Sequence, residues 1–128
     1  MHKTFLVTGA VMAGIAVVLG AFGAHGLKKL VGPETVSTFQ TGVQYQMYHA
    51  LAMMLLGILY QQFSNNMLHY AGLFFSGGIL LFSGSLYLLS IMKAREVVGL
   101  SGIGIITPIG GLLFIAGWVL LILGLLKK

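Results

Sequence analysis

No cysteine occurs among the 128 residues, which excludes disulfides, thiol nucleophiles, cysteine-ligated zinc and iron–sulfur clusters. Acid is almost absent too. Glu34 and Glu96 are the only carboxylate side chains, so paired-carboxylate chemistry has nothing to work with. Glycine-rich phosphate loops and nucleophile elbows are also missing, and hydrolase or kinase chemistry therefore has no footing; the expectation is a protein that is not an enzyme. Charged residues of both signs make up 7% of the chain, where a soluble domain uses roughly a quarter to cover its core.

What fills the chain instead is apolar. Hydrophobic residues account for 58%, and the mean hydropathy is +1.00, so lipid rather than water is the expected solvent. The net charge of +5 does not point to nucleic acid, because the seven basic residues sit singly or in pairs beside apolar runs, as membrane-flanking charges do.

Four runs are long enough to cross a bilayer. Phe5 to Gly23 carries no charge and, at about 1.5 Å per residue, reaches about 28 Å. Lys3 before it and Ala21-Phe22-Gly23 at its end also fit a secretory leader. Against a leader stands the seven-residue recurrence of Gly9, Ala16 and Gly23, flanked by Ala13 and Gly20, which is a helix-packing seam. The second span covers about 43–60, and its helix starts earlier, at Pro33 followed by Glu34, a pairing suited to a helix N-terminus. Residues 33–42 then form an amphipathic interfacial entry, with Val36, Phe39, Val43, Met47, Ala50 and Met54 as the apolar stripe. A short polar connection from Gln61 to Met67 leads to the third span, 68–92. Lys93, Ala94, Arg95 and Glu96 end it, and a glycine-rich turn around Gly99, Gly102 and Gly104 precedes a fourth helix starting at Thr107-Pro108 and spanning 107–126. Gly110, Gly117 and Gly124, like Gly77 and Gly84, repeat every seven residues. The fold class is therefore all-α: a single transmembrane domain over 1–128, an integral membrane four-helix bundle with a short interfacial segment between its first two helices. Orientation is nearly balanced, with Lys3, Lys127 and Lys128 on one face against Lys28, Lys29, Lys93 and Arg95 on the other, a count that leans toward both termini outside.

Polar groups gather at the face carrying the 24–42 and 93–106 connections. His25, Glu34, Gln40, Gln44, Tyr45, Tyr48 and His49 share it, and Ser83 and Tyr87 of the third span fall at similar depth. These nine residues form a candidate polar pocket. An ionisable group as deep as His49 should face the bundle interior, and Gln44 with Tyr48, and Tyr45 with His49, are i,i+4 pairs. Three chemistries are open to such a corner: a proton relay or solute path through an oligomer, a bis-histidine haem at His25 and His49, or a metal site of His25, His49 and Glu34; a quinone-linked redox protein is a further class, with no residues assigned to it. No ligand pair has metal-helix spacing and glycine leaves little room for a macrocycle, so neither metal nor cofactor is expected. His2 and His69 lie at the opposite face as interfacial residues. Tyr60, Tyr70, Tyr87 and Trp118 fit aromatic belts, and Ser76, Ser83 and Ser90 form a polar seam along the third helix.

Four segments, Gly20-Ala21-Phe22-Gly23-Ala24-His25-Gly26-Leu27, 39–51 (Phe39-Gln40-Thr41-Gly42 through His49-Ala50-Leu51), 78–87 (Gly78-Ile79-Leu80-Leu81-Phe82-Ser83-Gly84-Ser85-Leu86-Tyr87) and Thr107-Pro108-Ile109-Gly110-Gly111, resemble the domain of unknown function 423 family of small bacterial membrane proteins, related to a eukaryotic transmembrane protein family. The resemblance runs over nearly the whole chain. It implies a four-span, multi-pass plasma-membrane protein and brings no activity, substrate or catalytic residue. The functional expectation is a non-enzymatic accessory or scaffold subunit, solvated by the lipid bilayer and acting as a homo-oligomer or within a larger membrane complex.

Overall fold

Backbone polar groups in lipid find no water, so each must be satisfied inside the protein, and helices do this within one segment. The structure, a computed structural model, describes residues 2–95 and 101–127, without the side chain of Ser101, and every regular element there is helical. Helix α1 spans Lys3–Ala24; its first turn is capped by His2, whose Nδ1 accepts from the N–H of Phe5 at 3.3 Å. A 3₁₀ turn, Leu27–Lys29, leads to α2, Pro33–Leu59, which is one unbroken helix through the expected interfacial entry. Pro33 suits its place because a first-turn residue has no intrahelical use for an N–H.

Asn65 starts α3, Asn66–Gly78, by accepting from the N–H of Leu68, and its amide nitrogen donates to the carbonyls of Phe63 and Gly124. One side chain thus caps a helix and ties the connection to the end of the last helix. A π-helical turn, Ile79–Ser83, then joins α3 to α4, Gly84–Ala94, and the N–H of Gly84 bonds the carbonyl of Ile79 five residues back. Together they form one rod, Asn66–Ala94. The last helix, α5, runs Ser101–Leu126.

Among the described residues three stretches are long and apolar enough to cross a membrane: Lys3–Lys29, Asn66–Ala94 and Gly102–Leu126. Helix α2, the longest single helix among the described residues, is not one of them, because Gln40, Gln44, Gln46 and His49 lower its mean hydropathy. In the packing, α1 lies along α2, α3 and the π turn lie against α5, and α4 returns to α2. Phe5, Met53, Leu56, Leu68, Phe75 and Phe114 fill the core, while Val17, Val18, Leu80, Leu112 and Ile115 point outward.

The start of α5 differs from the sequence expectation. Gly102 and Gly104 lie within the helix, not in a turn, and Pro108 is inside it rather than at its first turn; Glu96 and Gly99 lie outside the described residues. Proline in a helix interior loses one hydrogen bond to the carbonyl four residues back and crowds it. Here that residue is Gly104, which has no side chain to add to the crowding, and membrane helices tolerate proline where neighbours re-satisfy polar groups. Thr107, beside it, shares a hydroxyl hydrogen bond with Ser85 of α4.

The glycines divide by register. Gly9, Ala16 and Gly23 are buried on α1; a Cβ at Gly9 would stand 2.6 Å from the carbonyl oxygen of Ala50. Gly110, Gly117 and Gly124 are buried on α5. On the third rod the expected pair, Gly77 and Gly84, is only half-buried, whereas Gly72 and Gly78 press against the rings of Phe5 and Phe114. The π turn bears on Gly84: an extra residue in one turn shifts every later side chain round the axis, so Gly84 no longer keeps the face of Gly77, while Gly72, Gly77 and Gly78 all precede the turn.

Candidate functional site

Helix α2 carries the polar interior. Its buried seam runs Phe39, Gly42, Gln46, His49, Met53 and Leu56, at helical spacing. From this seam, side-chain hydrogen bonds reach every other rod. Gln46 donates from Nε2 to the Met12 carbonyl of α1 at 2.8 Å and accepts at Oε1 from the Tyr87 hydroxyl of α4 at 2.7 Å. Ser83, in the π turn and fully buried, donates to the carbonyl of Gly42 at 2.7 Å. Gln40 donates to the carbonyl of Gly20 on α1 at 3.2 Å.

His49 is the centre of the set. Its ring lies parallel to Phe114 of α5 with centroids 3.6 Å apart, and Phe75 borders it at 5.4 Å. The Nδ1 atom is 2.8 Å from the carbonyl oxygen of Tyr45, and Nε2 is 3.0 Å from the indole nitrogen of Trp118. A carbonyl only accepts and an indole N–H only donates, which fixes the tautomer: Nδ1 bears the proton and Nε2 offers its lone pair to Trp118. Both nitrogens are therefore engaged. A metal or haem iron would need that lone pair, and a proton added at Nε2 would break the Trp118 bond. Among the described residues no side-chain nitrogen or oxygen that is wholly sealed from the surface lacks a partner.

The nine expected pocket residues do not close into one pocket. His49, Gln40, Ser83 and Tyr87 join the interior network. Tyr45 contributes its carbonyl, and its half-exposed ring packs on Phe82 with centroids 4.8 Å apart. His25 ends α1 and is exposed, as are Glu34, Gln44 and Tyr48. The reason is angular: Gln44 stands about 200° round the helix from both Gly42 and Gln46, so sharing a depth with the seam does not bring it to the same side. The i,i+4 contact of Tyr45 with His49 uses the tyrosine's backbone, not its hydroxyl. Of the serine series, Ser83 alone donates to another helix's backbone; Ser76 bonds Gly72 in its own helix and touches the Met53 sulfur, and Ser90 bonds Leu86.

Gln46 and Trp118, the two partners sequence reasoning missed, were each legible in part. Gln46 sits at seam spacing between Gly42 and His49, and Trp118 is one residue after Gly117 of the α5 glycine series. At the opposite end His2 stacks on Phe5 with centroids 3.7 Å apart and lies 5.7 Å from His69, closing α1 onto α3.

Comparison with known proteins places these helices in a wider group. A family model described as "Protein of unknown function (DUF423)" matches residues 19–111. UPF0382 membrane protein YwdK of Bacillus subtilis is 41% identical over 126 residues, covering 98% of each chain. UPF0382 membrane protein SAB0533 of Staphylococcus aureus is 42% identical over 98% of this chain and 97% of its own. UPF0382 inner membrane protein YgdD of Escherichia coli is 37% identical over 99% of this chain and 93% of its own. No solved structure matches.

Proposed function

Because the chain belongs to the DUF423 family of membrane proteins, we propose that it is a four-span, non-enzymatic accessory or scaffold subunit that works through helix contacts with further copies or a larger membrane partner. In this reading α2 crosses the membrane with the three apolar helices, since its buried polar side chains are spent on its neighbours and its remaining face is largely apolar. Absence of cysteine makes the crossing easy to test. Single cysteines at Lys29 and Ser64, both exposed, are expected to react with an impermeant maleimide from opposite sides of the cell membrane. Labelling from one side only would remove α2 as a span.

One observation carries the assembly part of the proposal. Gln40 bonds α1 at Gly20 and Gln46 bonds it at Met12, so Gln44 is level with the middle of α1, yet its side chain is exposed. Tyr48, one turn on, is 57% exposed on the same side. An amide facing hydrocarbon without a partner is costly, and polar side chains at such positions bind membrane helices together. Gentle-detergent purification followed by mass measurement should give a species heavier than the monomer, and Gln44→Leu should release the monomer with little loss of thermal stability. A wild-type monomer with nothing bound would end the proposal.

A further inference from the structure

At the end of the molecule where α4 stops, a cleft of about 290 Å³ opens between the first turns of α2 and the last turn of α4, lined by Thr35, Thr38, Leu89, Ser90 and Lys93. Thr35 is only 8% exposed, yet its hydroxyl makes no hydrogen bond among the described residues. Its neighbours differ: Thr38 donates to the carbonyl of Glu34 and Ser90 to that of Leu86. The backbone adds further donors. The N–H groups of Glu34 and Thr35 belong to the first turn of α2, where no intrahelical acceptor exists, and Gly32 at the cap supplies no side chain. Lys93 brings a cation to this donor cluster, and Leu89, one turn deeper, gives it an apolar wall.

We propose that this cleft binds the phosphodiester of an anionic phospholipid, with the Lys93 ammonium and the Thr35 hydroxyl donating to phosphate oxygens and an acyl chain descending along Leu89. Depth supports a lipid source, because the rod Asn66–Ala94 ends one residue beyond Lys93, at headgroup level. Charge supports it as well. A single ammonium matches the one negative charge of a phosphodiester, and Lys28, Lys29 and Arg95 share this end with Glu34, the only carboxylate among the described residues. The helix N-terminus favours the same sign of ligand.

The test uses the full chain in detergent, titrated with dioleoyl phosphatidylglycerol or dioleoyl phosphatidylcholine, with bound lipid counted by native mass spectrometry. Phosphatidylglycerol should be retained in preference, and Lys93→Gln and Thr35→Val should each weaken retention by about tenfold, the loss of one charge-assisted hydrogen bond. Thr35→Ser, which keeps the hydroxyl, should bind like the wild type and separates lost chemistry from lost folding. Arg95→Gln, an exposed charge outside the cleft, should change nothing. Equal retention of both lipids, or an Arg95→Gln loss equal to that of Lys93→Gln, overturns the proposal. Glycerol 1-phosphate binding as tightly as phosphatidylglycerol reassigns the cleft to a soluble phosphate and overturns the lipid source.

Discussion

Gly110→Ala should lower the stability of the protein in detergent by about 3 kcal/mol, the upper end of what overpacking costs, because the obstruction is backbone. The added methyl would meet the backbone nitrogen of Phe82 and stand 2.7 Å from its Cα and 2.8 Å from the carbonyl carbon of Leu81. A flexible side chain at such a place swings aside; the wall of a π turn has no alternative position. Gly77→Ala is the matched control, since its methyl would meet only the Cδ1 of Leu113 at 3.4 Å, and its thermal midpoint should stay close to the wild type. Equal midpoints for the two variants would show that α5 does not press on the third rod as described.

His49→Ala combines two losses. It empties a site stacked on Phe114 and bordered by Phe75, and it leaves the Trp118 N–H without its acceptor; together these should cost about 3 to 4 kcal/mol, as for other large core truncations. Trp118→Phe should cost less, since it removes the donor while keeping most of the apolar volume. The double variant isolates the hydrogen bond: a coupling of about 1 kcal/mol is expected, within the range measured between membrane helices. Trp118 is the chain's one tryptophan, so its emission reports directly on this contact and should shift in His49→Ala. Additive losses with an unchanged spectrum would place the indole away from the imidazole.

Both positions show what was readable in the residues and what was not. Helix existence was plain, because charge-free apolar runs of membrane length have few other folds open to them. The buried position of His49 was plain as well, since an ionisable group at that depth has an unfavourable alternative. Which side of α2 faces inward was not. Of the apolar stripe, Phe39 and Ala50 are buried but Val36, Val43, Met47 and Met54 only half-buried, and the seam beside it runs through Gly42, Gln46 and His49. In water, apolar periodicity marks the core; in lipid the exterior is apolar too, so small and polar residues mark the interior and the usual signal turns by about one residue. The same reversal hid Gln46 and made Trp118 look like part of an aromatic belt. The early start of α5 was obscured by reading Pro108 as a first-turn residue, a rule drawn from helices whose broken hydrogen bonds are answered by water.

The widened turn at Ile79–Ser83 makes chain length itself a determinant of the architecture. The turn holds one residue more than an α-helical turn does, so a single deletion inside it would close ordinary helix and leave everything from Gly84 onward near its present place. The ordinary helix on either side has no such slack: one residue added between Gly84 and Ser85 would turn the two parts of the rod by about 100° against each other and take Tyr87 from Gln46 and Ser85 from Thr107, although not one of those four amino acids had changed. Outside that turn, insertions and deletions, more than substitutions, are thus the edits this rod is least able to absorb.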